Sequence, residues 1–338
     1  MTTSMIHDAA SGEDGPPSPD IDADLLWMAA QHRRLARARS GMALAARLRS
    51  CAQVSVEIDE FFRTHVSAHP QLTGDDPDQG LEQAAPSSAG ELRAALEAIA
   101  TAQDELFVQD LGPQLEAAGI HLVGWYELDD TDQRRLTELF EQRIYPVLTP
   151  LAVDPGHPFP YVSDLSLNLA VLVEDPVDGR RHFARVKVPG AFHRLVALPE
   201  GRFVPLEQVI VAHLGWLFPG LSVCGHHAFR VTRDGAPSGR SRHSSSVDGR
   251  RSGRTVRLEH HQSMTKEISQ LLCRELDLGN MAVYQRLAPL DLTCLLPLAD
   301  LLDRRSAPAP RHTPRVVAVL AVLIVVLVVA AALVLALR

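Results

Sequence analysis

The 338-residue sequence is poor in aromatic side chains, at 5%, and has only four cysteines. Cys51, Cys224, Cys273 and Cys294 form no C-x-x-C pair, which excludes a disulfide framework and a zinc site and points to reduced thiols. A basic excess is also missing. Thirty-three Lys and Arg face 41 Asp and Glu, a formal net charge of -8, so no nucleic-acid partner is expected. The patterns G-x-x-x-x-G-K-[ST], G-x-S-x-G and G-x-G-x-x-G do not occur. A self-contained nucleotide-hydrolysing or esterase site is therefore not expected. Residues 1–20 have neither a basic start nor an apolar run, so no secretory leader is expected; residues 1–21 read as a disordered arm.

What is present begins with apolar content. A hydrophobic fraction of 46% suffices for a packed core, and the length suggests two or three structural units. The most apolar stretch, residues 316–337, reads VVAVLAVLIVVLVVAAALVLAL. A span of ~20 apolar residues is long enough to cross a bilayer, so a C-terminal transmembrane helix is expected there, after a linker at 306–315. Arg304, Arg305, Arg311 and Arg315 precede it. They predict a single-pass protein of the inner (cytoplasmic) membrane, with membrane lipid as a partner and the body in the cytoplasm.

In the body, Leu44, Leu48, Cys51, Val54, Ile58, Phe61 and Phe62 recur at helical spacing. An earlier helix is predicted over 25–36, and a polar loop over 73–89. Ser88 and Glu91 suit a capping box for a third helix carrying Leu92, Leu96, Ile99, Leu106, Leu111 and Leu115, with a break at Gly112-Pro113. Residues 22–118 thus read as a helical N-terminal domain. Beyond Gly119, Asp130 suits the cap of a helix that Pro146 ends. Residues 167–174 and 181–188 predict a β-hairpin around the Asp178-Gly179 turn. Helices over 207–217 and 264–276 and strands over 229–232 and 256–260 complete an α/β or α+β head domain over 119–305.

Residues 147–171, VLTPLAVDPGHPFPYVSDLSLNLAV, resemble the middle, or head, domain of bacterial polyphosphate kinase. The resemblance continues through FARVKVP at 183–189, FVPLEQV at 203–209, LFPG at 217–220, HHAFRVTRD at 226–234 and LDLTCLLPLAD at 290–300. Asp59-Glu60-Phe61-Phe62 is similar to the DEFF signature of the family's N-terminal domain, and the likeness covers roughly 22–303. It implies a multidomain α plus α/β chain. The family's reaction reversibly moves the terminal phosphate of ATP to polyphosphate, with magnesium, through a phosphohistidine in two C-terminal domains. No position here matches those domains, so no catalytic or metal-binding residue is carried over. The chain is expected to be inactive alone, and to bind no cofactor by itself.

One nucleotide contact has a counterpart. The family's Asn two residues before the DEFF signature corresponds to Glu57. An ionised Glu only accepts hydrogen bonds and repels a triphosphate, so ATP binding is expected to be weak. A second departure is the Ser/Arg/Gly-rich stretch over 235–255, where the family has an acidic helix. It reads as a basic loop in which Arg240, Arg242, Arg250, Arg251 and Arg254, with Arg257 beyond, are polyanion-binding candidates. No aromatic residue interleaves them to stack on bases. His65 and His69, and the pairs His226-His227 and His260-His261, read as structural or surface residues, as does His157. Three roles remain open. The chain is a non-catalytic remnant able to pair as a homodimer or as a heterodimer with an intact polyphosphate kinase. It is a subunit supplying its two domains to separate catalytic ones. Or it is a membrane-tethered polyanion-binding module.

Overall fold

The computed structural model describes residues 21–39, 41–66, 72, 88–153, 159–235 and 253–306. Ile21, the last residue of the expected arm, opens the first helix. Up to Ala299 the chain forms one compact unit. The second unit, Asp300–Arg338, is described only over its first residues, the end of a helix.

Helices come first. α1 spans Ile21–Ala38, α2 Leu44–Thr64 and α3 Ser88–Leu106. Their apolar stripes meet: Met28 and Leu35 of α1, Leu48, Cys51, Val54, Phe61 and Phe62 of α2, and Leu92, Leu96 and Ile99 of α3 are buried. No break occurs at Gly112-Pro113. A wider π turn, Phe107–Leu111, leads from α3 into α4, Gly112–Ala117, and Pro113 sits in α4's first turn, where no amide donor is needed. That π turn carries Asp110, which pairs with buried Arg47 of α2. Arg47 also donates to Ala38 O and Gln114 Oε1, so one guanidinium gathers the end of α1, α2 and α4.

The expected membrane helix is corrected by these elements. Among the described residues no helix is long and apolar enough to cross a membrane, and residues 316–337 lie outside the described residues. The longest helix among the described residues, α2, puts Arg49, Glu57, Glu60 and Arg63 among its apolar positions, charges a bilayer interior disfavours. The single-pass inner-membrane placement and its lipid partner are therefore not retained.

The mixed part contains two sheets. A small one has the order β1-β6-β5, from His121–Leu122, Arg202–Pro205 and Leu195–Ala197. The larger has the order β2-β4-β3-β7-β8-β9. Its strands are β2 (Leu151–Val153), β3 (Leu167–Glu174), β4 (Arg181–Lys187), β7 (Ser222–Arg233), β8 (Thr255–His261) and β9 (Val283–Arg286). All neighbours are antiparallel except β8 and β9. The predicted hairpin is β3–β4. Gly179 takes the left-handed conformation, at φ 70°, that its turn needs, and Asp175 Oδ1 accepts from Val177 N.

Side chains alternate across the large sheet. One face presents Leu169, Val171, Val173, Ala184 and Val186 to α5 (Asp130–Leu139), α6 (Leu206–Ala212) and α7 (Leu214–Leu217). The other puts Phe229, Val231 and Leu258 against Ile268 and Leu272 of α8 (Lys266–Leu276). The cap of α5 is Asp129, not Asp130: its Oδ1 accepts from the amides of Thr131 and Asp132, both at 2.9 Å. The predicted helix over 207–217 divides at His213, whose ring stacks on Phe140 at 4.3 Å. The last helix, α9, is Leu296–Ser306. Arg93 of α3 reaches the open side of the sheet and donates to Met281 O and to Val283 O of β9.

Candidate functional site

The helices and the sheet meet over a buried cluster of charges. Register places Arg230 of β7 opposite Glu259 of β8, and Thr232 opposite Arg257. Two residues along β9 from Tyr284, which faces Glu259, stands Arg286. Because side chains alternate, these groups share one face, the face toward α2 and α3. Asp59 of α2 and Asp104 of α3 come down onto it.

Arg230 grips Asp59 with both terminal nitrogens, one at 2.8 Å, and its Nη1 lies 2.9 Å from Glu259 Oε2. Arg257 pairs with Asp59 Oδ1, lies 3.1 Å from Glu259 Oε2, and donates through Nε to Thr232 Oγ1 at 3.0 Å. Arg286 bonds Glu259 Oε1 at 3.0 Å and Asp104 Oδ1 at 2.9 Å. Asp104 Oδ2 also accepts from the Leu287 amide at 2.6 Å. Three guanidinium groups thus face three carboxylates, and none of the six residues is more than 7% exposed. Charge balance and dense hydrogen bonding, which leave Arg230 Nε without a partner among the described residues, let such a cluster survive desolvation. Burial by itself would raise the pKa of Glu259, but Arg257, Arg230 and Arg286 outweigh it and hold the carboxyl at about 2. The pKa of Arg230 is raised, since its bonds to Asp59 and Glu259 outweigh the opposing burial, and the guanidinium stays protonated. Phe62, next in the chain to Phe61, packs under Arg257 at 4.5 Å and edge-on to Tyr284 at 5.5 Å. The arrangement locks two modules together; each charge is already spent on another.

The sequence candidates lie elsewhere. Glu57 is one helical turn from the buried stripe and partly exposed; its Oε1 is 2.5 Å from Arg34 Nη1 and 3.0 Å from Gln53 Nε2. Burial pushes its pKa up, but hydrogen bonds from Arg34 and Gln53 prevail and hold it below the ordinary range. A fixed carboxylate at the position implied for ATP does not fit a triphosphate. Of the arginine-loop candidates, Arg240, Arg242, Arg250 and Arg251 lie outside the described residues. Arg254 is described at the loop's end, where its carbonyl accepts from Asp234 N at 2.9 Å. Arg257 does not join them: it is buried in the charge cluster.

His65 stacks on Phe61 at 5.3 Å; His69 and His157 lie outside the described residues. Among the described residues no group of three His, Cys, Asp or Glu side chains is arranged to hold a metal. All four cysteines are free, with Cys51 and Cys294 buried and Cys224 exposed. The sequence treated Asp59 as part of a signature and missed its partners. The available signal was Arg-x-Thr at 230–232 and Arg-x-Glu at 257–259, alternating with Phe229, Val231, Val256 and Leu258, a period-two pattern that places these polar groups on one face.

A helical module locked by buried ion pairs onto a mixed sheet defines a two-module scaffold, helical and then α/β. Residues 21–123 match the family model described as the polyphosphate kinase N-terminal domain, and residues 131–298 match the polyphosphate kinase middle domain. The chain belongs to the polyphosphate kinase family. It is 42% identical over 313 residues to a polyphosphate kinase of Streptomyces coelicolor, covering 88% of this chain and 41% of that one. It is 36% identical to one of Mycobacterium avium, covering 90% of this chain and 45% of that one. The crystal structure of polyphosphate kinase from Porphyromonas gingivalis shares the fold, with a TM-score of 0.65 at 20% identity, over 86% of this chain and 41% of that chain. These 338 residues therefore span less than half the length of the relatives they match.

Proposed function

We propose that these residues are a non-catalytic scaffold of polyphosphate metabolism, the N-terminal and head portion of a polyphosphate kinase, which transfers no phosphate by itself. The observation that carries this is the Asp59–Arg230–Arg257–Glu259–Arg286–Asp104 cluster. It commits three arginines and three carboxylates to holding the modules together, so none of these six groups is free to act on a phosphate. The partner is a second polyphosphate kinase polypeptide, either another copy of this chain or one that carries the remainder of the family's length. ATP and magnesium are used by that partner, since Glu57 is committed to Arg34 and Gln53.

The test has two arms. The purified chain is incubated with ATP and magnesium and polyphosphate is measured; none is expected. The tagged chain is then mixed with the purified Streptomyces coelicolor polyphosphate kinase and the mass of the complex is measured by light scattering. A mixed oligomer supports the proposal. Polyphosphate made by the chain alone, or two species that never associate with each other or with themselves, overturns it.

A further inference from the structure

At the open side of the large sheet, α3, α8 and β9 enclose a cleft of about 530 Å³. That is within the ~300–1,000 Å³ usual for small-molecule sites. Arg93 and Glu97 line it and pair with each other at 2.5 Å, so their charges cancel. Lys266, the first residue of α8, is exposed at its rim and makes no ion pair among the described residues. The side-chain amides of Gln270, Asn280 and Gln285 converge on the same space, also uncommitted among the described residues. Tyr284 lies in the lining as well: it is 5% exposed, and its buried hydroxyl has no hydrogen-bond partner among the described residues. Polar side chains without a protein partner among the described residues, gathered in one concavity around a cation that makes no ion pair there, form a candidate binding site.

We infer that this cleft binds a phosphate-bearing anion, a short condensed phosphate or a small phosphate ester, through Lys266 and the amides of Gln270, Asn280 and Gln285. Lys266 supplies the charge, the carboxamides donate to the remaining oxygens, and Ser269 closes the inner side beside His260. His260 Nδ1 lies 2.9 Å from the His261 carbonyl, which fixes that nitrogen as the donor and leaves Nε2 to accept from Ser269 Oγ at 3.2 Å. Burial lowers the pKa of the imidazole, which favours its neutral form. The ligand touches α3 on one side and α8 and β9 on the other, so occupying the cleft stabilises the joint between the two modules. This site is distinct from Glu57 and from the arginine loop, and it needs no catalytic activity; its failure leaves the scaffold proposal untouched.

The test uses the full chain and sodium tripolyphosphate as the probe, followed by titration calorimetry and thermal unfolding. Saturable binding and a rise in unfolding temperature are expected, weakening as KCl is raised. Lys266→Glu is expected to weaken binding roughly tenfold or more, and Lys266→Arg to keep it within roughly threefold, since a charged hydrogen bond is lost in one and replaced in the other. Lys266 is exposed, so both variants are expected to unfold at the parent temperature without ligand, which separates lost binding from lost folding. Glycerol phosphate in place of tripolyphosphate distinguishes an ester from a condensed phosphate. The inference is overturned if tripolyphosphate does no more than sodium sulfate at equal ionic strength, or if Lys266→Glu binds as tightly as the parent.

Discussion

Asp59 and Arg257, 198 positions apart in sequence, share a buried ion pair, and Arg230 closes on the same carboxylate from the neighbouring strand. One acidic side chain on α2 thus bridges two arginines of the sheet, and Glu259, which pairs with both, supplies the second negative charge. Removing one member of such a cluster strands the others without a counter-charge, at a cost of about 3–5 kcal/mol. Asp59→Ala is expected to lower the unfolding free energy by that amount, read as a fall in the urea midpoint at unchanged slope. A double-mutant cycle with Arg257→Met should return a large coupling energy, because the second substitution removes a charge the first left unpaired. Additive losses would show that the pair does not act as a unit.

Acid should loosen this junction. Glu259 has an ordinary carboxyl pKa of ~4.3 when unfolded and about 2 when folded, so between those values the unfolded chain binds more protons. Its contribution is complete above pH ~4.3 and is lost as the pH falls toward 2. Urea midpoints measured from pH 7 to pH 3 should therefore fall in the lower part of that range. Glu259→Gln, which cannot titrate, should be less stable at pH 7 and show a shallower fall. An equally steep decline in the variant would assign the acid sensitivity to other carboxylates.

The thiols should separate by reactivity. Burial pushes Cys51 and Cys294 each up to about 12, while Cys224 is exposed on β7. Under native conditions at pH 7.5, N-ethylmaleimide is expected to label Cys224 first by peptide mass spectrometry, with Cys51 and Cys294 labelled only after unfolding. Prompt labelling of Cys51 would mean that the packing of α2 opens readily.

Nucleotide affinity should follow the residue at 57. The parent chain is expected to give no measurable heat with ATP and magnesium. Glu57→Asn removes the fixed negative charge and restores a donor, so weak binding should emerge. Tight ATP binding by the parent would place a nucleotide site somewhere other than this surface.

The helices were legible because each buries a single stripe: Leu48, Cys51, Ile58 and Phe62 are spaced for it and are buried. The β3–β4 hairpin was legible because Asp178-Gly179 admits the turn between two apolar runs. β9 was not, because Val283–Arg286 is too short to establish alternation. The charge cluster was not, because its partners stand far apart in sequence, Asp59 and Arg230 by 171 positions, and the period-two spacing within the strands marks a shared face without naming the helix residues that meet it. Residue type held a clue. Lysine occurs only at Lys187 and Lys266, and among the described residues every buried cation, Arg47, Arg185, Arg230, Arg257 and Arg286, is arginine. A planar guanidinium can serve two carboxylates at once, as Arg230 does, where an ammonium is a single strongly hydrated point.

Arg93, by donating to the carbonyls of Met281 and Val283, occupies acceptors along the outer margin of β9. A bare strand margin is a template on which a foreign strand can add and aggregation can begin. Here a side chain from the helical module stands where the first bonds of such an added strand would form. The other margin, β2, is only three residues long and offers little length to copy. The helical module therefore does more than pack on the sheet: it stops the sheet from growing, and a head domain separated from it would be the sticky form of the protein.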